Sequence, residues 1–172
     1  MATTTKTNPN HASTDQVEAS LAVVEKSLGD KNKEVLQPSL NNLIALGRVI
    51  KQLHWNVIGP NFRPIHLHLD EIYELVDEYA DQVAERMAAV GRSANGRIKD
   101  VASHADVIDA PEGFTRDVEV LACAADRLKV AAKAIRMECD KVEDIDTVTA
   151  DLLHGIIDKL EMHHWMIQAQ RI

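Results

Sequence analysis

The sequence is short of cysteine, of long apolar runs and of positive charge. Its two cysteines, Cys123 and Cys139, lie sixteen residues apart in one helical stretch. On a helix they point about 160° apart and sit about 24 Å apart along the axis, so they cannot pair within it. This excludes a disulfide framework and fits a reducing compartment. The longest uncharged run, Val35–Gly47, has 13 residues and includes Gln37, Pro38, Ser39, Asn41 and Asn42. It is too short and too polar to cross a bilayer. The opening MATTTKTNPNHASTD has no apolar signal-peptide core, so a cytoplasmic location is expected. Lys and Arg number 19 against 27 Asp and Glu, a net charge of −8. That balance argues against a surface devoted to nucleic acid and suits cations better.

The 172 residues are 45% apolar and 27% charged, the make-up of one folded domain with a real core. Residues 1–14 read as a mobile tail. A short helix is expected over Asp15–Leu28, with Val17, Leu21, Val24 and Leu28 in one stripe and Gly29 as its stop. The next helix, about Pro38–Ile58, has Leu36, Leu40, Leu43, Ile50 and Val57 on one face, with Pro38 in its first turn. Gly59-Pro60-Asn61 breaks the chain.

A third helix shows a near-heptad repeat at Ile65, Leu69, Ile72, Val76, Tyr79, Val83, Met87 and Val90, and Gly91 ends it. Residues 91–114 form a longer connection with a short helix around Ile98–His104. A fourth helix repeats the pattern at Val118, Leu121, Ala125, Leu128, Ala132, Ile135, Cys139 and Val142. After the acidic turn Glu143–Asp146, the last helix carries Val148, Leu152, Ile156, Leu160 and Ile167. No segment reads as a convincing strand. The expected fold is all-α: a ferritin-like four-helix bundle over 15–172, with one long middle crossover and an extra N-terminal helix at about 15–29.

One flank of the third helix carries His66, Asp70, Asp77, Asp81 and Glu85. Asp77, Asp81 and Glu85 follow one another at i,i+4, and none has a Lys or Arg at ±3 or ±4. Each such like-charge pair costs about 0.2–0.5 kcal/mol on an isolated helix, and a cation reverses the sign. The bland alternative is a set of solvated carboxylates. His54 falls on the apolar stripe of its own helix, where a satisfied core histidine is the plain alternative to a ligand. Imidazole with carboxylate is a donor set suited to iron or another borderline divalent metal. His66 and Asp70 can share one metal region, as can Asp81 and Glu85. The two pairs are fifteen residues apart, about 22 Å of helix, so one copy cannot join them. An antiparallel second copy can, and a two-fold pair makes two equal sites. A rival internal site is the Glu-x-x-His of Glu161 and His164, for which the sequence holds no second motif beyond the approximate Asp151…His154.

The stretch Lys51–Asn56 (KQLHWN), Gly59–Phe62 (GPNF), His66, Leu69-Asp70-Glu71 and Asp81–Arg86 (DQVAER) resembles the Dps family, the mini-ferritins. The resemblance is strongest over Lys51–Gly91 and extends from about Leu36 to Trp165. It implies a hollow shell of twelve subunits built from two-fold dimers, and a ferroxidase site between subunits. His54, His66 and Asp70 would come from one chain, and Asp81 and Glu85 from its mate. The resemblance further implies oxidation of two Fe(II) per site by hydrogen peroxide or O2, and storage of Fe(III) mineral. Trp55 would intercept stray oxidising equivalents; packing at the interface is the alternative. Asp151, with its neighbour Asp146, would line an iron-entry pore. Helix capping is the alternative for both and weighs more for Asp146. His68, His163 and His164 keep no assigned role.

Family members that bind DNA often do so with basic tails. Here residues 1–14 hold only Lys6, and the C-terminus only Arg171. Twelve copies would total about −96, so DNA binding is expected to be weak or absent. The competing reading is a nucleoid-compacting DNA binder with secondary iron chemistry.

Overall fold

The computed structural model describes residues 12–172. Residues 1–11 of the expected tail lie outside the described residues. The element order is α1 (Thr14–Leu21), α2 (Lys26–Asn56), β1 (Val57–Ile58), α3 (Phe62–Ala89), α4 (Ile98–His104), β2 (Thr115–Arg116), α5 (Asp117–Val142) and α6 (Thr147–Ala169). The four long helices form the bundle: α2 packs on α3 and α5, α5 packs on α6, and α4 covers part of α2. The core is aliphatic, with Leu36, Leu43, Leu46, Ile50, Leu53, Ile65, Leu69, Ile72, Leu128, Ile135 and Leu153 fully buried. No helix of the described residues is long and apolar enough to cross a membrane.

The first two helices differ from the expected ones. The helix expected over Asp15–Leu28 stops at Leu21, and Ala22 and Glu25 are extended on either side of the break. Val23 N–H donates to the Ala89 carbonyl at 3.1 Å, which ties the break to the end of α3. Helix α2 then starts at Lys26, so Pro38 lies inside it. Gly29 is a buried residue of α2 rather than a stop: a Cβ there would lie 2.6 Å from the Val90 carbonyl oxygen. Ser39 Oγ donates to the Val35 carbonyl at 2.8 Å, and Asn42 Nδ2 to that of Pro38 at 3.2 Å. Burial of Asn32, Val35, Leu36 and Leu40 around the proline outweighs its local preference. Val118 and Val148, expected on core stripes, are 62% and 61% exposed in the first turns of their helices.

A two-residue parallel pairing that the sequence did not announce sets Val57 opposite Thr115 and Ile58 opposite Arg116. It joins the α2–α3 turn to the end of the crossover. Asp117 strengthens the joint by accepting from Asn61 N at 3.0 Å and Asn61 Nδ2 at 3.1 Å. Gly59 has φ +131°, and a Cβ there would meet the Asp117 carboxyl carbon at 2.7 Å. Only glycine fits this turn, which sets where α3 begins.

The crossover is held along its length. Asn95 N donates to Gln37 Oε1 at 3.0 Å while Gln37 Nε2 donates to the Asn95 carbonyl at 2.9 Å. Asn42 Oδ1 accepts from Asp106 N and Val107 N. Arg92, 4% exposed, donates to Asp30 and to the Lys26 and Gly91 carbonyls, and Glu18 lies 3.6 Å away. It thereby joins α1, the start of α2 and the end of α3.

Candidate metal centre

Helices α2 and α3 are joined by a five-residue turn, so the last turn of α2 faces the first turns of α3. This brings His54 and His66 together. His54 is 7% exposed. Its Nδ1 donates to the His66 backbone carbonyl at 2.9 Å, and His66 Nδ1 donates to that of His54, also at 2.9 Å. A carbonyl can only accept, so each Nδ1 carries the proton when the ring is neutral. Each Nε2 then keeps a lone pair for a ligand. The two rings stack with centroids 3.7 Å apart and planes 21° apart.

Asp70, one turn beyond His66, lies 3.8 Å from His54 Nδ1 and forms an ion pair with Lys51. The hydrogen bond from Lys51 holds the Asp70 carboxyl below the usual carboxylate range. Lys51 Nζ also sits 4.5 Å over the Tyr73 ring, whose hydroxyl accepts from Arg48 at 2.9 Å. Lys51 was legible as a neighbour of this site, since it precedes His54 by one turn; its partner was not.

Asp77, Asp81 and Glu85 are exposed, and no ion pair or side-chain hydrogen bond engages them among the described residues. Helix α3 runs unbroken from Phe62 to Ala89, which keeps Asp81 about 22 Å of helix from His66. Among the described residues, no three His, Cys, Asp or Glu side chains of one chain are grouped to hold a metal ion. Trp55 is 65% exposed beside the buried His54, with Ile58 and Phe62 each 44% exposed nearby in sequence.

The other expected sites fare differently. Glu161 pairs with Arg136, and His164 Nδ1 donates to the Ala125 carbonyl at 2.8 Å. They share a hollow with Lys129, Lys133 and Arg136, a cationic lining unsuited to a di-metal site. Asp146 takes up the capping role that was the weightier alternative for it. It is 8% exposed and caps α6 by accepting from Val148 N at 3.1 Å and Thr149 N at 3.4 Å. Its other oxygen accepts from Asn32 Nδ2 at 2.8 Å and Arg86 Nη2 at 2.7 Å. Burial pushes the Asp146 carboxyl up, but the bonds from Asn32, Arg86 and Thr149 outweigh it and hold the group low. With both oxygens engaged, it has none to offer a passing ion. Asp151 is exposed one turn further along α6. Cys123 and Cys139 are both free, and burial pushes both thiols up.

A model of the ferritin-like domain matches residues 33–171, nearly the whole bundle. The chain belongs to the Dps family of ferritin-like proteins. It is 35% identical over 138 residues to the DNA protection during starvation protein of Mycolicibacterium smegmatis, covering 79% of this chain and 74% of that one. It is 32% identical over 139 residues to DNA protection during starvation protein 2 of Deinococcus radiodurans, covering 81% of this chain but 58% of the relative. The solved Mycobacterium smegmatis Dps superposes with a TM-score of 0.81 at 30% identity, over 86% of this chain and 90% of that one. Dps92 from Deinococcus radiodurans gives 0.80 at 31% identity, over 84% and 87%. The Dps fold thus accounts for the bundle and its crossover. Helix α1 lies before the stretch that the domain model covers.

Proposed function

We propose that this Dps-family protein is an iron-storage ferroxidase. It oxidises Fe(II), with hydrogen peroxide as preferred oxidant, and keeps Fe(III) as mineral inside a cytoplasmic shell of twelve copies. One observation carries the reading: a tautomer-fixed His54/His66 couple with Asp70 at one end of an unbroken helix, and unpaired Asp81 and Glu85 at the other. A two-fold pair with antiparallel α3 helices joins the two half-sites and makes two complete ones. Family membership supports iron handling in general.

In such a site the two Nε2 atoms and the three carboxylates hold two ferrous ions. Three negative charges offset most of the four positive ones, which lets two cations sit close together. The carbonyls that grip both Nδ1 protons fix the rings before iron arrives, so little reorganisation is needed. Lys51 holds Asp70 until a divalent cation displaces it. Each Fe(II) gives one electron to hydrogen peroxide, which takes up two protons and leaves as two waters. Delivering both electrons together avoids the hydroxyl radical. In this reading the exposed Trp55 is covered by the second copy and gives an electron to a stray oxidising equivalent. DNA binding is weak or absent in this reading, as the net charge of −8 supports. The test is peroxide-driven Fe(II) oxidation by wild type and by Asp81→Ala/Glu85→Ala. The double variant is expected to lose the fast phase; equal rates would sink the assignment.

A further inference from the structure

Helix α1 turns its apolar edge away from its own chain. The half-buried side chains Glu18 and Ala22 face the bundle, while Val17, Leu21 and, just beyond the helix, Val23 are 44%, 59% and 76% exposed. No residue of α1 is buried. The helix is nevertheless held in place. The Glu18 carboxylate lies 3.6 Å from the Arg92 guanidinium, and Val23 N–H donates to the Ala89 carbonyl at 3.1 Å. Gly91 sits against Ala22, so closely that a Cβ on it would come within 2.5 Å of the Ala22 Cβ. Eight residues do not hold a helix alone in water, and a helix docked on a domain ordinarily buries its apolar edge. Here the polar edge docks and the apolar edge is presented outward.

A second apolar patch without cover lies at the α2–α3 turn, where Trp55, Ile58 and Phe62 are exposed. The antiparallel pair inferred for the iron site sets His66 and Asp70 of one copy opposite Glu85 and Asp81 of the other. One helical turn further out, the same register sets Phe62 opposite Ala89, the residue to which α1 is tied. Within one chain the two patches cannot meet, because about 40 Å of helix separates Phe62 from Ala89.

We propose that α1 is a clamp between subunits: its Val17–Leu21 edge, with Val23, seats on the Trp55–Ile58–Phe62 patch of a second copy, at the rim of the iron site. The proposal rests on the two-fold reading of that site. The charges agree with it. Arg63, next to Phe62, is exposed and makes no ion pair among the described residues, and Asp15, in the first turn of α1, has only an exposed 3.6 Å pair with Lys26. Seated in this way, α1 covers Trp55 and closes the solvent side of the turn that carries His54 and His66. Because α1 precedes the stretch that the ferritin-like domain model covers, the clamp is an addition to the bundle rather than part of it.

Cross-linking of the assembled full-length protein tests this. Leu21→Cys/Phe62→Cys is treated with a short bismaleimide, whose reach tolerates a slip of one residue, and run on a denaturing gel. Wild type, with its two native cysteines, and each single variant are the controls. Covalent dimers are expected from the double variant alone, with no larger products, since a two-fold contact closes on itself. Asp70→Cys/Asp81→Cys reports on the antiparallel pair independently of α1. Dimers from that pair but not from Leu21→Cys/Phe62→Cys overturn the clamp and leave the iron-site reading standing, and dimers from neither overturn both. A ladder of products beyond the dimer also overturns the clamp, because it places α1 on a different neighbour. As a second measurement, Val17→Asp/Leu21→Asp is expected to keep the helical content of wild type and to dissociate at a lower temperature by size-exclusion chromatography; unchanged dissociation overturns the proposal.

Discussion

Replacing Asp146 by alanine separates the two roles open to that residue. Its side chain is 7% exposed and that of Arg86 16%. Removing one member of a buried ion pair costs about 3–5 kcal/mol, because the other charge is left without its partner. Arg86 keeps its bond from Nε to Thr149 Oγ1 at 3.0 Å, which places the loss near the low end. The lost cap at the start of α6 adds about 1 kcal/mol, partly the same hydrogen bonds counted again. The total is about 3–4 kcal/mol, or a fall in Tm of roughly 6–16 °C for a domain of this size. Asp146→Asn, which keeps an acceptor for the cap, is expected to lose about half as much. Thermal unfolding followed by helix circular dichroism measures it, at one protein concentration because the proposed assembly would add to stability. The Asp146 carboxyl titrates lower in the folded chain than in the unfolded one, so the unfolded state binds more protons in acid. Its contribution is therefore full above about pH 4 and fades below, and the acid limb of the wild-type stability curve flattens in Asp146→Ala. Intact shells of the variant are expected to oxidise Fe(II) at the wild-type rate. A Tm fall under about 3 °C would refute the buried-pair reasoning. Slowed iron uptake at unchanged stability would restore the pore role.

Lys51→Met removes the cation that competes for Asp70, so divalent-metal affinity at pH 7 is expected to rise about two- to five-fold, the weight of a half-exposed ion pair. The same change returns the Asp70 carboxyl toward its ordinary range, so binding fades at a higher pH on the acid side; calorimetric titration across pH reads both. Gly91→Ala places a Cβ 2.5 Å from that of Ala22 and 2.6 Å from the Glu18 carbonyl oxygen, at φ +72°. It costs about 1–2 kcal/mol of backbone strain, and α1 is expected to undock. Limited proteolysis around residues 14–25 should quicken while the bundle stays folded; an unchanged cleavage rate would contradict the docking.

The sequence announced α3, α4, α5 and α6 almost to the residue because their apolar spacing is unbroken and their ends carry ordinary signals, such as Gly91 and the Glu143–Asp146 turn. It misplaced the α1–α2 boundary because Gly29 and Pro38 are local breakers. Their burial against Val90 and among Leu36 and Leu40 is a tertiary fact, absent from any window of sequence. The β1–β2 pairing was invisible for the same reason, since two residues carry no alternation. At the metal centre, spacing alone showed that His66 and Asp81 cannot meet within one chain. The carbonyls that fix the His54 and His66 tautomers, and the Asp70 partner Lys51, needed coordinates. The His68–His163 contact did too, because ninety-five residues separate the rings.

The central claim is that each iron site takes its histidines from one chain and Asp81 with Glu85 from another. Complementation tests it most directly. His54→Ala/His66→Ala and Asp81→Ala/Glu85→Ala, each inactive alone, are dissociated, mixed in equal amounts and reassembled. Random pairing makes half of the two-fold dimers mixed, and each mixed dimer has one intact site of its two. The mixture should recover about a quarter of the wild-type Fe(II) oxidation rate. Recovery of none, in shells shown to contain both chains, would contradict the account.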